Sequence, residues 1–363
     1  MKIGILTFHR ALNCGAMLQA WALKTFLANA GYEVGFISNH VGVLSRWHSF
    51  PKSGSMLGRA KGTLLAVAKN IGSFGCLDLA IKRFEAFQTK HLKEIELHDC
   101  DMVVVGSDQV WRSELTAGET PLFIGKNING NLPMISYAAS FGDRIPSDIE
   151  HLGKYVGRRY RALSVREPLV KEVLAPYIAG EIEVVADPTL LIESKEYSRI
   201  SSDANLQEPY LFAYAVHATP FFVQTAKAAA KRLGLKLVMT AASQSTRWNA
   251  PSGLTYGVSP DRMMGYLRGA SCVVASSFHG TALSVLHGKP FVCMRPDGLN
   301  VKSRPVSLLK RLDDMRRVVS PQSENIDIDT MLNEPISENV TSRLTEFREF
   351  SIDWLNRALI QED

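Results

Sequence analysis

Nowhere in these 363 residues do roughly 18 apolar residues follow one another, so no membrane-spanning helix is expected. Cysteine is scarce. Cys14, Cys76, Cys100, Cys272 and Cys293 are odd in number, widely spaced and without a C-x-x-C pair, which argues against a disulfide framework or a thiolate zinc site. Cys272 and Cys293 each sit in an apolar run, where cysteine behaves as a small hydrophobe, and the usage fits a reducing compartment. H-E-x-x-H and runs of clustered carboxylates are missing, so no metal is expected. The first strand-to-helix turn lacks G-x-G-x-x-G, which excludes a dinucleotide fingerprint there. No dense Lys/Arg block interleaves with aromatics. Arg158-Arg159-Tyr160-Arg161 comes nearest and reads as a solvated helix face, so no nucleic-acid partner is expected. The opening MKIGILTFHR begins a strand and lacks the apolar core of a signal peptide, which points to the cytoplasm.

What is present is an ordinary globular composition, 46% hydrophobic and 21% charged. The length suits two domains. Lys plus Arg number 41 against 36 Asp plus Glu, a net charge of +5 that fits an anionic substrate or the edge of an anionic membrane.

Apolar runs and helical spacings alternate along the chain. Ile3 to Leu6 reads as a buried strand, followed by a helix with Ala20, Leu23, Leu27 and Ala30 on one side that stops at Gly31. Val34 to Ile37 completes a βαβ unit. Residues 40 to 75 are irregular and Gly-rich, a passage placed to shape an acceptor site. Met102 to Val105, Ile135 to Ser140, Ala162 to Val165 and Glu183 to Ala186 read as strands, with a helix over about 147 to 161. A polar, aperiodic linker runs from 194 to 209. Strands at Tyr210 to Val216, Leu235 to Thr240 and Phe291 to Met294 then alternate with helices at Phe221 to Leu233 and 259 to 269. Ala241 to Val258, with Arg247, Trp248 and Gly253, and Arg295 to Arg304, with Asp297 and Lys302, read as loops. An amphipathic helix covers 336 to 358. The expected fold is α/β: two Rossmann-like α/β/α domains, 1–195 and 205–335, facing a cleft, with a C-terminal helix in 336–363 packing across.

Candidate site residues cluster where strands end, the edge at which open α/β sheets bind ligands. After Ser271, the apolar run with Val273 and Val274 reads as a buried strand that stops at small polar residues, followed by His279-Gly280-Thr281 and a helix. His279 thus stands beside a helix N-terminus, either as a turn-filling residue or as a group facing an anion. Asn13 can cap the first helix, and Gly15 behind it serves either the turn or a ligand. Ser107, Asp108 and Trp111 follow the strand Met102–Val105; Asp108 either caps the next turn or orients a hydroxyl. Arg166 closes another strand, where a guanidinium is expensive to desolvate without a partner; Glu167 beside it or an anionic ligand would serve.

Several stretches in order resemble the polysaccharide pyruvyl transferase family: Asn13-Cys14-Gly15-Ala16-Met17-Leu18-Gln19-Ala20, Val105-Gly106-Ser107-Asp108-Gln109-Val110-Trp111, Tyr137-Ala138-Ala139-Ser140-Phe141-Gly142, Ser164-Val165-Arg166-Glu167, Asp187-Pro188-Thr189, and Ser277-Phe278-His279-Gly280-Thr281 with Gly288-Lys289-Pro290. The resemblance implies a fold of the GT-B glycosyltransferase type. It also implies an enzyme that moves the enolpyruvyl carbons of phosphoenolpyruvate onto two hydroxyls of a sugar to form a pyruvate ketal. Arg166 and His279 match the family's donor-site arginine and histidine. Asp108 is the candidate at the acceptor hydroxyl. Asn13, Gly15, Gln19, Ser107, Trp111, Ser277, Gly280 and Thr281 are carried over as substrate-binding positions. Many members have an arginine where this chain has Ser277, and Arg295 and Arg304 are the cations placed to replace it. Phosphoenolpyruvate enters as co-substrate with no cofactor; the partner is a sugar acceptor, free or carried on a lipid at the inner membrane face. Two other readings stand beside it: a GT-B-type nucleotide-sugar glycosyltransferase, and a non-catalytic glycan-binding component of polysaccharide assembly.

Overall fold

The computed structural model describes residues 1–39, 74–116, 118–204, 206–215, 218–241, 255, 257–295, 303–323 and 327–360. The irregular passage from residue 40 to residue 73, most of the loop with Arg247, Trp248 and Gly253, and the Asp297 and Lys302 positions lie outside the described residues.

Two sheets organise the chain. The first contains β1 (Lys2–Leu6), β2 (Glu33–Ile37), β3 (Glu94–Ile95), β4 (Met102–Val105), β5 (Met134–Ala139), β6 (Ala162–Val165) and β7 (Ile182–Val184), in the order β3-β2-β1-β4-β5-β6-β7. The second contains β8 (Tyr210–Ala215), β9 (Lys236–Ala241), β10 (Cys272–Ala275), β11 (Phe291–Met294) and β12 (Val318–Val319), in the order β12-β11-β10-β8-β9. All ladders are parallel. Parallel sheets need both faces covered, which is why the central strands read as unbroken Val/Ile/Ala runs such as Met102–Val105 and Cys272–Ala275, buried at every position. One hydrophobic cluster joins the inner faces of both sheets, from Leu18 and Trp21 through Met263 and Leu283 to Leu355, while separate clusters fill the outer faces.

The C-terminal helix Glu338–Ile360 returns to the first sheet. Ser351 Oγ accepts the Ala186 amide at 2.8 Å, Trp354 tilts against Tyr137, and Arg161 Nη2 donates to the carbonyls of Ala358 and Leu359. Two Rossmann-like units facing one another, tied by a terminal helix, form the GT-B-like arrangement. Among the described residues no helix is long and apolar enough to cross a membrane.

Some boundaries differ from the sequence reading. Arg304 opens the helix Arg304–Arg311 instead of ending a loop, because Pro305 fits the first turn of a helix, where no amide donor is needed. The helix expected over 147–161 is Ile149–Arg159, and β7 ends at Val184, before the Asp187-Pro188 turn. The expected linker contains a short 3-10 helix, Ser194–Arg199. The two-residue edge strands β3 and β12 carry too few residues to show a period in the sequence.

Candidate active site

The strand order reverses between β1 and β4 in the first sheet and between β8 and β10 in the second, the positions where such sheets open a crevice. Loops at the carboxyl ends of β1, β4, β6, β7 and β10 meet there.

After β4 the chain turns sharply. Gly106 takes φ +118, and a methyl group on it would strike the Tyr137 carbonyl; the Gly106–Ser107 peptide is cis. Asp108 follows with φ +77, a left-handed conformation that aspartate tolerates because its Oδ1 accepts the Gln109 amide at 2.9 Å. Gln19, fully buried, braces this loop: its Nε2 donates to Thr7 Oγ1 at 2.8 Å and its Oε1 accepts the Ser107 amide at 3.2 Å. Thr7 Oγ1 donates in turn to the Ser107 carbonyl.

Ser107 Oγ lies 3.1 Å from Asp187 Oδ2, and Asp187 is the hub of the cluster. Its Oδ1 accepts from the Thr189 amide and hydroxyl at 3.0 and 2.8 Å. Its Oδ2 accepts from Arg166 Nη1 at 2.9 Å and lies 3.6 Å from His279 Nε2. Burial pushes the Asp187 carboxyl up, but His279 close by, then the Arg166 charge, outweigh it and hold it well below the usual range. Arg166 also donates from Nε to Glu167 Oε1 at 2.7 Å, and its Nη2 lies 3.6 Å from Asp108 Oδ1. Burial works against the Arg166 charge; Glu167, Asp187 and Asp108 more than restore it. Arg166 is thus ion-paired with Glu167, while its buried Nη2 has no hydrogen-bond partner.

From the second sheet, Ser277 caps the helix Phe278–Leu286 by accepting the Gly280 amide at 2.9 Å, and Thr281 Oγ1 donates back to the Ser277 carbonyl. This fixes His279 in the first turn, 7% exposed, with Nε2 buried and without a hydrogen-bond partner. Phe278 beside it stacks under the Arg166 guanidinium at 4.7 Å. Gly15 lies against the His279 ring: a methyl there would collide with Nδ1. Asn13 caps the same helix, Cys14–Asn29, through the Ala16 amide. Gly15 thus lets the two helix N-termini approach across the cleft.

Arg304 Nη1 lies 3.8 Å from Asp108 Oδ1, and burial and the neighbouring Arg166 lower its pKa. Arg166, Glu167, Asp187, Phe278, Arg304 and Arg311 line one cavity. Arg304 therefore brings a further cation to the cavity that Arg166 lines. Arg295 follows β11, its amide donating to the Val319 carbonyl, and Trp111 is fully buried in the outer core of the first unit, edge-on to Tyr160. Asp187, Glu167 and Phe278 did not emerge as site residues from the sequence. For Asp187 the usable signal was the one that marked Arg166: a charged residue at the carboxyl end of a buried strand.

Three carboxylates, two arginines and a histidine thus meet between two parallel-sheet units, all buried except Arg304, whose side chain is partly exposed. The chain belongs to the polysaccharide pyruvyl transferase family, a family of transferases, whose model matches residues 13–298 and so spans every cluster residue except Arg304. Comparison with curated proteins gave no match. Among solved structures the chain is distantly similar to the UDP-N-acetylglucosamine 2-epimerase from Rickettsia bellii (9% identity, 98% of each chain covered, TM-score 0.49). It is also similar to the UDP-GlcNAc 2-epimerase from Neisseria meningitidis bound to UDP-GlcNAc (9% identity, 98% of this chain and 100% of that one, TM-score 0.47) and to the glycosyltransferase VinC in complex with DTDP (12% identity, 99% and 98%, TM-score 0.42).

Proposed function

We propose that this chain transfers the pyruvyl group of phosphoenolpyruvate to two hydroxyls of one sugar in a cell-surface polysaccharide precursor, closing a cyclic ketal and releasing phosphate. One observation carries the reading: Arg166 Nη2 and His279 Nε2, buried, each 3.6 Å from a carboxylate oxygen and without a hydrogen-bond partner, occur in one cluster with Arg304. Buried donors without partners are costly, and a small ligand with two anionic groups would satisfy them.

In this reading Arg166 and Arg304 hold the carboxylate and phosphate of the donor. A proton added to C3 leaves C2 electron-poor, and a sugar hydroxyl attacks it. His279 Nε2 donates to the phosphate as the C2–O bond breaks, and the second hydroxyl closes the ring. Asp108 serves an acceptor hydroxyl. Asn13, Gly15, Gln19, Ser107, Ser277, Gly280 and Thr281 hold these groups in position. The reaction takes place in the cytoplasm, without a cofactor, on an acceptor presented free or on a lipid at the inner membrane face.

The test incubates purified protein with phosphoenolpyruvate and lipid-linked galactosides. Phosphate release with a mass gain of one pyruvate ketal is expected, and His279→Ala should lower turnover about 10²- to 10⁴-fold with the melting temperature nearly unchanged. Turnover with a sugar nucleotide alone overturns the reading, as does glycan binding without turnover.

A further inference from the structure

Glu167 holds a buried oxygen for which the mechanism above has no task. It follows Arg166 at the end of β6, its side chain 3% exposed. Oε1 accepts from Arg166 Nε, but Oε2 is buried and has no hydrogen-bond partner. Glu167 precedes the helix Pro168–Leu174, yet its carboxylate makes no capping bond there. It lines the same cavity as Arg166, Phe278 and Arg304 instead.

The two unmet groups of this corner ask for opposite things. Arg166 Nη2 can only donate, and an anion satisfies it. An ionised Glu167 Oε2 can only accept, and no anion satisfies that. Ionised phosphoenolpyruvate has no N–H or O–H to offer, whereas a sugar hydroxyl does. Ketal formation also removes protons from two hydroxyls, and Asp108 accounts for one.

We propose that Glu167 is a catalytic residue for the second hydroxyl, with Oε2 first accepting its hydrogen bond and then taking its proton as the oxygen bonds to C2. The inference rests on the pyruvyl-transfer reading. Over the whole reaction two C–O bonds form at C2 and the C2–O bond to phosphate breaks. Of the two hydroxyl protons, one ends on C3, making a methyl group, and the other leaves with the phosphate. Glu167 passes on the proton it took and ends the cycle ionised.

Turnover and phosphoenolpyruvate affinity, the latter by titration calorimetry, are compared in wild type and Glu167→Gln. The expected result is a fall in kcat of at least a hundredfold with donor affinity within about threefold of wild type. Wild-type kcat in Glu167→Gln overturns the proposal alone, whereas a wild type that never releases phosphate overturns the pyruvyl-transfer reading and this proposal with it. If Glu167→Gln fails to bind the donor, Glu167→Asp decides. That variant keeps the charge opposite Arg166 and withdraws the oxygen by one methylene. Donor binding retained with kcat down tenfold or more supports the role; unchanged kcat removes it.

Discussion

Arg166 and Arg317 are both buried, both paired with a carboxylate, and both stacked on a phenylalanine, Phe278 at 4.7 Å and Phe291 at 5.1 Å. They differ in what remains unbonded. Arg317 donates from Nε to Asp314, from Nη1 to the carbonyls of Phe291 and Met331, and from Nη2 to those of Glu334 and Pro335. That uses the whole guanidinium fork to knit β11 to the segment before the C-terminal helix. Arg166 donates to Glu167 and Asp187 and leaves Nη2 without a hydrogen-bond partner. A saturated buried charge is complete as folded. An unsaturated one in a cleft is where a ligand would add most, because the desolvation has already been met by the fold.

Removing the saturated charge should have the largest effect. Arg317→Leu takes the donor from Asp314 Oδ2, leaving Asp314 only Arg316, and one donor from each of four carbonyls, and should cost about 3–5 kcal/mol in urea unfolding, with donor affinity of the folded protein unchanged. Arg166→Lys keeps the charge but loses the fork. It should weaken phosphoenolpyruvate binding about 10- to 100-fold, about 1.4–2.7 kcal/mol by calorimetry, and shift unfolding less than Arg317→Leu does. The opposite order of stability effects would erase the contrast between the two arginines. Gly15→Ala sets a small gain in helix propensity against a collision with His279. The collision should win by about 1–2 kcal/mol and impair turnover, whereas Gly180→Ala, with open space around it, should be neutral within about 0.5 kcal/mol.

The smallest effect belongs to a partly exposed cluster. Glu94 sits against His9 and Arg10 at 2.7 and 2.6 Å, and the hydrogen bond to His9, ahead of that to Arg10, lowers its pKa from 4.5 to about 2 despite partial burial. A carboxyl with a depressed folded pKa adds stability that is full above pH 4.5 and is lost as pH falls toward 2. Glu94→Gln should flatten the decline of melting temperature across that window, and leave its slope above pH 5 unchanged.

Much of the fold was legible because parallel strands buried on both faces must be apolar throughout, as at Met102–Val105 and Phe291–Met294, and because caps are local. Asn13 caps the helix expected of it. The positions of Arg166 and His279 at strand ends were legible in the same way, Arg166 directly after Val165 and His279 four residues beyond Ala275. Arg316 and Arg317 show the limit: adjacent and chemically alike, one side chain is 45% exposed and the other fully buried. No local pattern separates them, because the carbonyls that hold Arg317 come from β11 and from residues 331–335.

The sequence alone determined where the longer apolar strands lie, that Asn13 caps the first helix and which charged residues follow those strands, because hydrophobic period, turn chemistry and capping act over a few residues. Only the tertiary structure decided that Asp187 joins Arg166 to His279, that Gly15 makes room for the His279 ring, and that Arg304 lines one cavity with Arg166 and Glu167. Those relations depend on how two sheets dock, and docking is set by the shared core between them rather than by any neighbour in the chain.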